Sequence, residues 1–351
     1  MAERTIDFRA RSAQDEMLRE LNCVLARAEG GGVGNKRQTP QQPMVFIVGA
    51  PRSGTTLMLQ WLAASKRFAY PSNLLARFFG APYIGSRIQQ LLTDPDMDYR
   101  DELLSSEPEG LAWISDVGKT RGMLQPHEFS YYWRRFFPID QAQKLTDAQL
   151  EASDPEGFAA GWAAIEAVFG KPIAAKGILL QYNLAQLAQW LPKSIFVHTQ
   201  REPVHNIRSL LRARHSVYGT HAAWFSVRPP EFEWLKHEDP YTQVAGQVLF
   251  TNESITRELA LLMPHRAIPI EYEAFCREPA QVWARLQSSF RAFGFDLEGG
   301  YDGPASFECT NATTVSKEEE EEGQVRAAYE RLAARQADQQ CAAHVEPSAG
   351  L

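Results

Sequence analysis

The segment "MVFIVGAPRSGTTLMLQWLAAS", residues 44–65, constrains the fold more than any other part of the chain. Its apolar run Met44–Val48 predicts a buried strand. Apolar residues spaced three and four apart then predict one packed face of a helix: Leu57, Met58, Trp61 and Leu62. Gly49 and Gly54 lie between strand and helix with the spacing of a G-x-x-x-x-G loop. This arrangement predicts an α/β unit whose loop and helix N-terminus bind an anion.

The loop differs from that of nucleoside triphosphatases, in which a lysine follows the second glycine. Thr55 occupies that position here, and Arg52 lies inside the loop. Arg52 can bring a permanent charge and a bidentate fork to a phosphate-like group. Hydroxyl donors are available from Ser53 and Thr56 as well as Thr55. We therefore predict an anion site formed by Arg52, Ser53, Gly54, Thr55 and Thr56, with no metal required.

Three further short apolar runs predict strands at Ile173–Ala175, Ser194–Thr199 and Ala267–Glu271. Helical patterns follow Pro203 and Pro279, which suit the first turn of a helix because their missing N–H costs little there. Strands that alternate with helices indicate a parallel sheet. The predicted fold class is α/β, a P-loop-like three-layer fold with a central parallel sheet flanked by helices.

The predicted domain organisation has one main unit with extensions at both ends. Residues 1–43 are interpreted as an N-terminal helix and a Gly-rich linker, and residues 44–336 as a single α/β domain. Residues 66–170 are aromatic-rich and mostly helical in pattern, which indicates a helical insertion that covers the site. The composition of residues 337–351 is typical of a disordered tail.

Two further stretches, one amphipathic and one acidic, predict helices outside the alternating strands and helices of the sheet. Residues 12–29 predict a helix that docks on the domain through an apolar face formed by Met17, Leu18, Leu21, Val24 and Leu25. The acidic run "KEEEEEG", residues 317–323, predicts the solvated start of a helix.

Composition excludes several classes of protein. Lys and Arg number 36 against 43 Asp and Glu, a net charge of −7, which argues against a general nucleic-acid binder. The four cysteines are far apart in the sequence and show neither metal-ligand spacing nor a disulfide framework: Cys23, Cys276, Cys309 and Cys341. The N-terminus has no apolar leader, and no apolar run is long enough to span a bilayer. We expect a cytoplasmic protein without a transmembrane segment.

The motif "PRSGTT" resembles the 5′-phosphosulfate-binding loop of sulfotransferases, which use 3′-phosphoadenosine 5′-phosphosulfate (PAPS) as donor. Arg52 in this motif resembles bacterial and tyrosyl-protein sulfotransferases. A second segment, "SIFVHTQREPVHNIRSLL", carries Arg201 and, eight residues later, Ser209, which is similar to the family's 3′-phosphate-binding pattern. Arg201 follows a strand end, where open α/β sheets bind ligands. A third segment, "IPIEYEAFCREP", resembles the family's C-terminal strand.

The resemblance implies an enzyme that moves a sulfuryl group from PAPS to a hydroxyl or amine. Arg52 would then contact the transferred group, and Lys176 resembles a lysine that tyrosyl-protein sulfotransferases place near it. Those relatives carry a glutamate base after the loop helix, but residues 70–79 contain no acid. The substitutes are His127 and Glu128 in "QPHEF". His198 is a rival whose strand position indicates a core histidine.

The acceptor and two alternative functions stay open at this stage. Carbohydrate, lipid, peptide and small metabolite are all compatible acceptors, with contacts from Tyr131, Tyr132, Arg134 and Arg135. One alternative is a P-loop kinase-like phosphotransferase, which the missing lysine after Gly54 disfavours. The other is a catalytically inactive nucleotide-binding protein. Stabilisation by a 3′-phosphorylated nucleotide would favour a sulfotransferase, whereas stabilisation by ATP and Mg²⁺ would favour the kinase-like phosphotransferase.

Overall fold

A computed structural model of the chain describes residues 3–9, 11–30, 38–97, 113–311 and 318–345, with side chains described up to residue 338 and, in the last of these ranges, from residue 320. Residues 31–37 of the predicted linker at 30–43 and the end of the predicted tail at 337–351 lie outside the described residues.

The centre of the protein is a parallel sheet of four strands. These are β1 (Met44–Val48), β2 (Ala174–Lys176), β3 (Ser194–Gln200) and β4 (Ala267–Glu271), in the order β2-β1-β3-β4. Every neighbouring pair is parallel. The predicted fold class and the four predicted strands are therefore confirmed, with small shifts at the ends of β2 and β3.

Helices cover both faces of this sheet. In the described residues the α-helices are α1 (Ser12–Ala28), α2 (Thr55–Ala64), α3 (Pro82–Thr93), α4 (Ser130–Phe136), α5 (Asp147–Glu151), α6 (Pro155–Phe169), α7 (Leu184–Trp190), α8 (Pro203–Tyr218), α9 (Phe232–Leu235), α10 (Pro240–Ala260), α11 (Tyr272–Arg277), α12 (Pro279–Ala292) and α13 (Glu318–Val345). Helices α8 and α12 begin at prolines, as predicted. None of the described helices is both long and apolar enough to cross a bilayer.

Strand β1 separates two apolar cores because its side chains alternate between the faces of the sheet. Phe46 packs on one face against Trp133 and Trp162, with ring centroids 5.8 and 6.3 Å away. Ile47 packs on the other face with helices α2 and α12. The aromatic residues of the 66–170 insertion therefore build the larger core, and those at Trp133 and Trp162 are fully buried.

Helix α1 forms where predicted, but only part of the predicted docking face is buried. Leu18 packs against the larger core, and Leu25 is half-buried. Met17, Leu21 and Val24 are exposed, with relative accessibilities of 69%, 40% and 60%. The buried face instead carries Asn22, whose amide donates to the carbonyl of Arg77 at 2.8 Å and whose oxygen accepts from a backbone N–H. Polar contacts between backbone and Asn22 orient this helix, and apolar periodicity alone cannot reveal such contacts.

The acidic run starts helix α13 but is not simply solvated. Arg208 on α8 is 1% exposed and forms ion pairs with Glu321 at 3.6 Å and Glu322 at 3.3 Å. Helix α13 also buries an apolar stripe against α8 and α10, formed by Val325, Ala328 and Leu332. The acids therefore anchor α13 to the helix that follows β3. The helix continues to Val345, past the start of the predicted tail.

Candidate functional site

The loop after β1 has the backbone of an anion cradle. Gly54 is the N-cap of α2, has a φ of 95° and provides no side-chain cap, so the first N–H groups of α2 lack a capping acceptor. A Cβ on Gly54 would lie 2.4 Å from the ring of Tyr272. Arg52 also adopts a left-handed conformation, with a φ of 69°. Non-glycine residues rarely do so, and surrounding contacts must hold the loop in this shape.

Neighbouring elements supply these contacts. The Asn206 amide on α8 donates to the carbonyl of Pro51 at 2.6 Å, and the Gly49 N–H donates to the Gln181 side chain at 3.3 Å. The Ser53 hydroxyl lies 3.0 Å from that of Thr199 on β3 and is fully buried. The predicted ligand hydroxyl of Ser53 is therefore engaged in holding the loop on the sheet.

The β1–α2 and β3–α8 segments meet at one cavity. Arg52 Nε donates to Ser209 Oγ at 3.2 Å, and Arg201 Nη1 donates to the carbonyl of Arg52 at 3.2 Å. The cavity has a volume of about 440 Å³ and is lined by Arg52, Trp113, Ile114, Ser115, Arg201, Ser209, Arg212 and Thr310. Three residues predicted from two distant motifs thus share one space, because parallel strands end at the same edge of a sheet.

This space carries a concentrated positive charge. The described hydrogen-bond partners of Arg52 and Arg201 are neutral hydroxyl, amide and carbonyl groups. Burial lowers the pKa of Arg52, and the guanidiniums of Arg201 and Arg212 lower it further. Three arginines that repel one another gain free energy from a bound anion.

Sequence reasoning missed the segment that holds Arg201 from the far side. Arg201 Nε donates to Asn311 Oδ1 and its Nη2 to the carbonyl of Thr310, both at 2.9 Å. The guanidinium also lies 5.0 Å from the centre of the Tyr272 ring. Tyr272 lies in the third segment, "IPIEYEAFCREP", whose resemblance supports the fold and gives no site residue. Residues 310–311 show no recognisable pattern, and only the folded chain brings them to Arg201.

A second group of polar side chains lies at the N-terminus of α2. Lys176 is 4% exposed at the end of β2, so it is not a surface lysine. Its ammonium donates to Thr56 Oγ1 at 2.8 Å and to Glu128 Oε1 at 3.1 Å. The side chain of Glu128 is half exposed. Partial desolvation raises the pKa of its carboxyl, but the ammonium of Lys176 outweighs this, and the net pKa is lowered. Glu128 is therefore ionised at neutral pH, and Lys176 joins it to the loop helix.

The two candidate histidines have environments that keep them neutral. Burial lowers the pKa of His127 to about 4, although Glu128 opposes this. Its Nδ1 accepts a hydrogen bond from the Phe129 N–H at 2.9 Å, which assigns the proton to Nε2. His198 is 1% exposed, pairs with Asn252 at 3.2 Å, and has a pKa lowered by burial to about 4. His198 is a core histidine, as its strand position indicated.

The predicted acceptor contacts of helix α4 are engaged elsewhere. Tyr132 is fully buried and its hydroxyl donates to the carbonyl of Phe158, so it cannot reach an acceptor. Tyr131 donates to Asp15 of α1, and the two arginines, Arg134 and Arg135, donate to backbone carbonyls. The aromatic residues of α4 therefore pack in the core or hold α1, and they do not form an acceptor site.

The sheet and the site together define a class: an α/β group-transfer enzyme with a P-loop-like anion cradle. A sequence model of the sulfotransferase family matches residues 43–292. The chain belongs to the sulfotransferase family and is a sulfotransferase. The matched range contains the loop, Lys176, Arg201 and Ser209, and this membership favours sulfuryl transfer over the kinase-like alternative.

Solved structures share the fold at low identity. Sulfotransferase STF9 from Mycobacterium avium is 12% identical, with a TM-score of 0.50 and coverage of 82% of this chain and 74% of that chain. Sulfotransferase STF1 from Mycobacterium tuberculosis H37Rv is 16% identical, with a TM-score of 0.48 and coverage of 82% and 77%. No curated protein matches the chain. The first of these likenesses supports the parallel α/β fold.

Proposed function

We propose that the protein transfers a sulfuryl group from PAPS to a hydroxyl or amine of an acceptor. One observation carries the proposal: Arg52 of the β1–α2 loop and the pair Arg201 and Ser209 of β3–α8 line the same cavity. A bisphosphorylated adenosine has two anionic ends, and two adjoining cation-rich cradles match that distribution of charge. A nucleoside triphosphate with Mg²⁺ would instead need the lysine that follows the second glycine of a P-loop, and Thr55 occupies that position.

The 3′-phosphate is assigned to Arg201, Ser209 and Arg212. Guanidiniums bind phosphate through charge-assisted hydrogen bonds, and a hydroxyl adds one further donor. Asn311 and the carbonyl of Thr310 hold Arg201 in place from the opposite side. This pre-organisation lowers the entropy lost when the nucleotide binds.

The 5′-phosphosulfate is assigned to the loop and the start of α2. The uncapped N–H groups at Gly54, Thr55 and Thr56 provide donors and the positive end of the helix dipole. Arg52 adds a positive charge that neutralises the oxygens of the transferred group. By analogy with phosphoryl transfer, positioning and charge neutralisation provide most of the rate acceleration.

Glu128 is the proposed general base, and Lys176 the proposed cation for the leaving group. The acceptor oxygen attacks sulfur while Glu128 takes its proton, and the bond between sulfur and the phosphate oxygen breaks. The charge that develops on the phosphate oxygen is stabilised by Lys176, which already donates to Thr56 of the loop helix. His127 is the weaker candidate because its Nδ1 accepts from Phe129 and its Nε2 carries a proton.

The acceptor is proposed to approach from the insertion at residues 66–170, because Glu128 belongs to it. The proposed partners are small molecules, namely PAPS and an acceptor that can be carbohydrate, lipid, peptide or metabolite. Nucleic acid is not a proposed partner at a net charge of −7. The cytoplasm is the proposed location, and fractionation of cells that express a tagged chain would test it.

Thermal-shift titration tests the donor assignment. We expect 3′-phosphoadenosine 5′-phosphate to raise the melting temperature in proportion to RT ln(1 + [L]/Kd), with a smaller effect from adenosine 5′-phosphate and none from ATP with Mg²⁺. Radiolabelled PAPS and a panel of acceptors then test transfer. Preferential stabilisation by ATP with Mg²⁺ would refute the proposal, and donor binding without transfer in any extract would indicate an inactive nucleotide-binding protein.

A further inference from the structure

Two cysteines that are distant in the sequence meet beside the cationic cavity. Cys276 on α11 is 1% exposed, and Cys309 is exposed on the segment that follows α12. The Phe307 N–H donates to the carbonyl of Cys276 at 2.7 Å, which brings Cys309, two residues further on, beside α11. Both cysteines are free thiols; burial raises the pKa of Cys276, and Cys309 is close enough to raise it further. A neighbouring pair of thiols, one of them open to solvent, can form a disulfide.

The segment that carries Cys309 also holds Arg201, the arginine assigned to the 3′-phosphate under the proposed function. We name residues 307–311 the strap. Its Phe307 N–H donates to the carbonyl of Cys276 at 2.7 Å, and the Phe307 ring lies 5.4 Å from that of Phe275. At the other end, Thr310 and Asn311 accept hydrogen bonds from Arg201 at 2.9 Å. The thiol pair thus lies between the anchor of the strap and its contact with Arg201.

We propose that Cys276 and Cys309 form a reversible intramolecular disulfide that locks the strap against α11. The consequence for the nucleotide rests on the proposed function: a locked strap keeps Arg201 in place and slows release of the 3′-phosphorylated nucleotide. The disulfide would act on the cationic cavity through Thr310, a strap residue that lines this cavity. Sulfuryl transfer itself does not involve them.

The oxidant in this proposal is a small disulfide, such as oxidised glutathione. The Cys309 thiolate attacks one sulfur of the small disulfide, and the first small thiolate leaves. The thiol of Cys276 then loses its proton to water and attacks the sulfur of Cys309, which expels the second thiolate. Two protein thiols are oxidised, and one small disulfide is reduced to two thiols.

The order of these steps follows from exposure. Cys309 is exposed and can meet a small disulfide, whereas Cys276 is buried. Burial also raises the pKa of the Cys276 thiol to about 11. Only a small fraction of Cys276 is thiolate at neutral pH, so Cys309 reacts first and Cys276 resolves the mixed disulfide.

Peptide mapping of the full chain after incubation with oxidised glutathione tests the site. We expect a peptide that joins Cys276 to Cys309 and is lost in Cys309→Ser. Cys23→Ser, a change at an exposed cysteine of α1, should leave the linked peptide unchanged. Absence of the linked peptide, or a stable glutathione adduct on Cys309 in the wild-type chain, would overturn the inference.

Hydrogen exchange tests the lock without reference to activity. Oxidation should slow exchange of the Phe307 amide by about tenfold or more, because local opening of the strap is suppressed. Dissociation of 3′-phosphoadenosine 5′-phosphate should slow by about three- to tenfold in the same sample. Unchanged exchange at Phe307 despite the disulfide overturns the lock. If the nucleotide fails to bind in both redox states, the proposed function is refuted, and the exchange result alone decides the lock.

Discussion

Two charged regions lie near the N-terminus of α2, and they differ in whether their positive charges are paired with a carboxylate. On one side, Arg52, Arg201 and Arg212 share a cavity, and the described partners of the first two are neutral. On the other side, the ammonium of Lys176 is already paired with the carboxylate of Glu128. A surplus of permanent charge stabilises a bound anion, whereas a paired acid and base can exchange a proton during a reaction. Under the proposed function, the first region binds the donor and the second takes part in the chemistry.

The largest expected effect tests whether Arg52 belongs to both regions. Arg52→Ala should lower kcat/KM by a factor on the order of 10³, because a cation at the transferred group is lost. Arg52→Lys is the matched control and should recover part of this loss, since charge returns without the fork. Steady-state kinetics with labelled donor measures both, and a kcat retained in Arg52→Ala would remove this residue from the mechanism.

The second effect should be confined to the paired region. Glu128→Gln should lower kcat by about 10²-fold and leave donor affinity nearly unchanged, because the base is lost while size and hydrogen bonding are kept. His127→Gln is the control and should lower kcat far less. A larger loss in the histidine variant would reverse the assignment of the base.

The pH dependence sharpens this second test. The pKa of Glu128 is lowered and that of His127 lies at about 4, so both are deprotonated throughout the neutral range. The carboxylate is lost only as pH falls through its lowered pKa, so kcat should stay flat between about pH 5 and 7. An acid limb near the ordinary histidine pKa would contradict the burial of His127.

The third effect belongs to the cationic region alone. Arg201→Ala should weaken 3′-phosphoadenosine 5′-phosphate by about 10- to 100-fold and barely change the affinity for adenosine 5′-phosphate. Ser209→Ala should produce a smaller loss with the same preference. Calorimetry measures the four affinities, and equal losses for both nucleotides would show that Arg201 does not contact the 3′-phosphate.

The smallest effect tests how the cationic region is held. The Glu273 carboxylate accepts from the Asn311 amide at 3.0 Å and from the Glu202 N–H at 3.1 Å, and Asn311 in turn holds Arg201. Glu273→Gln should raise the donor KM by about three- to tenfold without lowering kcat. A fall in kcat with unchanged KM would indicate a role in chemistry, and Glu273→Asp should restore part of the affinity if positioning is the cause.

Features encoded by neighbouring residues could be predicted from the sequence, and features that depend on contacts between distant segments could not. The loop, β1 and the start of α8 are encoded by neighbouring residues: apolar runs, glycines and prolines act over a few positions. The docking of helix α1 could be predicted only in part, because its buried position is Asn22, which bonds to the backbone of a distant segment. The acidic run was predicted to be solvated, but Glu321 and Glu322 pair with Arg208, which is buried on another helix.

The sequence by itself determined the four-stranded α/β framework and the cradle around Arg52, because hydrophobic periodicity and loop geometry are short-range properties. The tertiary structure alone decided that Lys176 pairs with Glu128 and that Thr310 and Asn311 hold Arg201. It also brought the strap that carries Cys309 to Cys276 on α11. These pairings join residues far apart in the chain, and they depend on how helices and loops pack around the sheet, which no local pattern records.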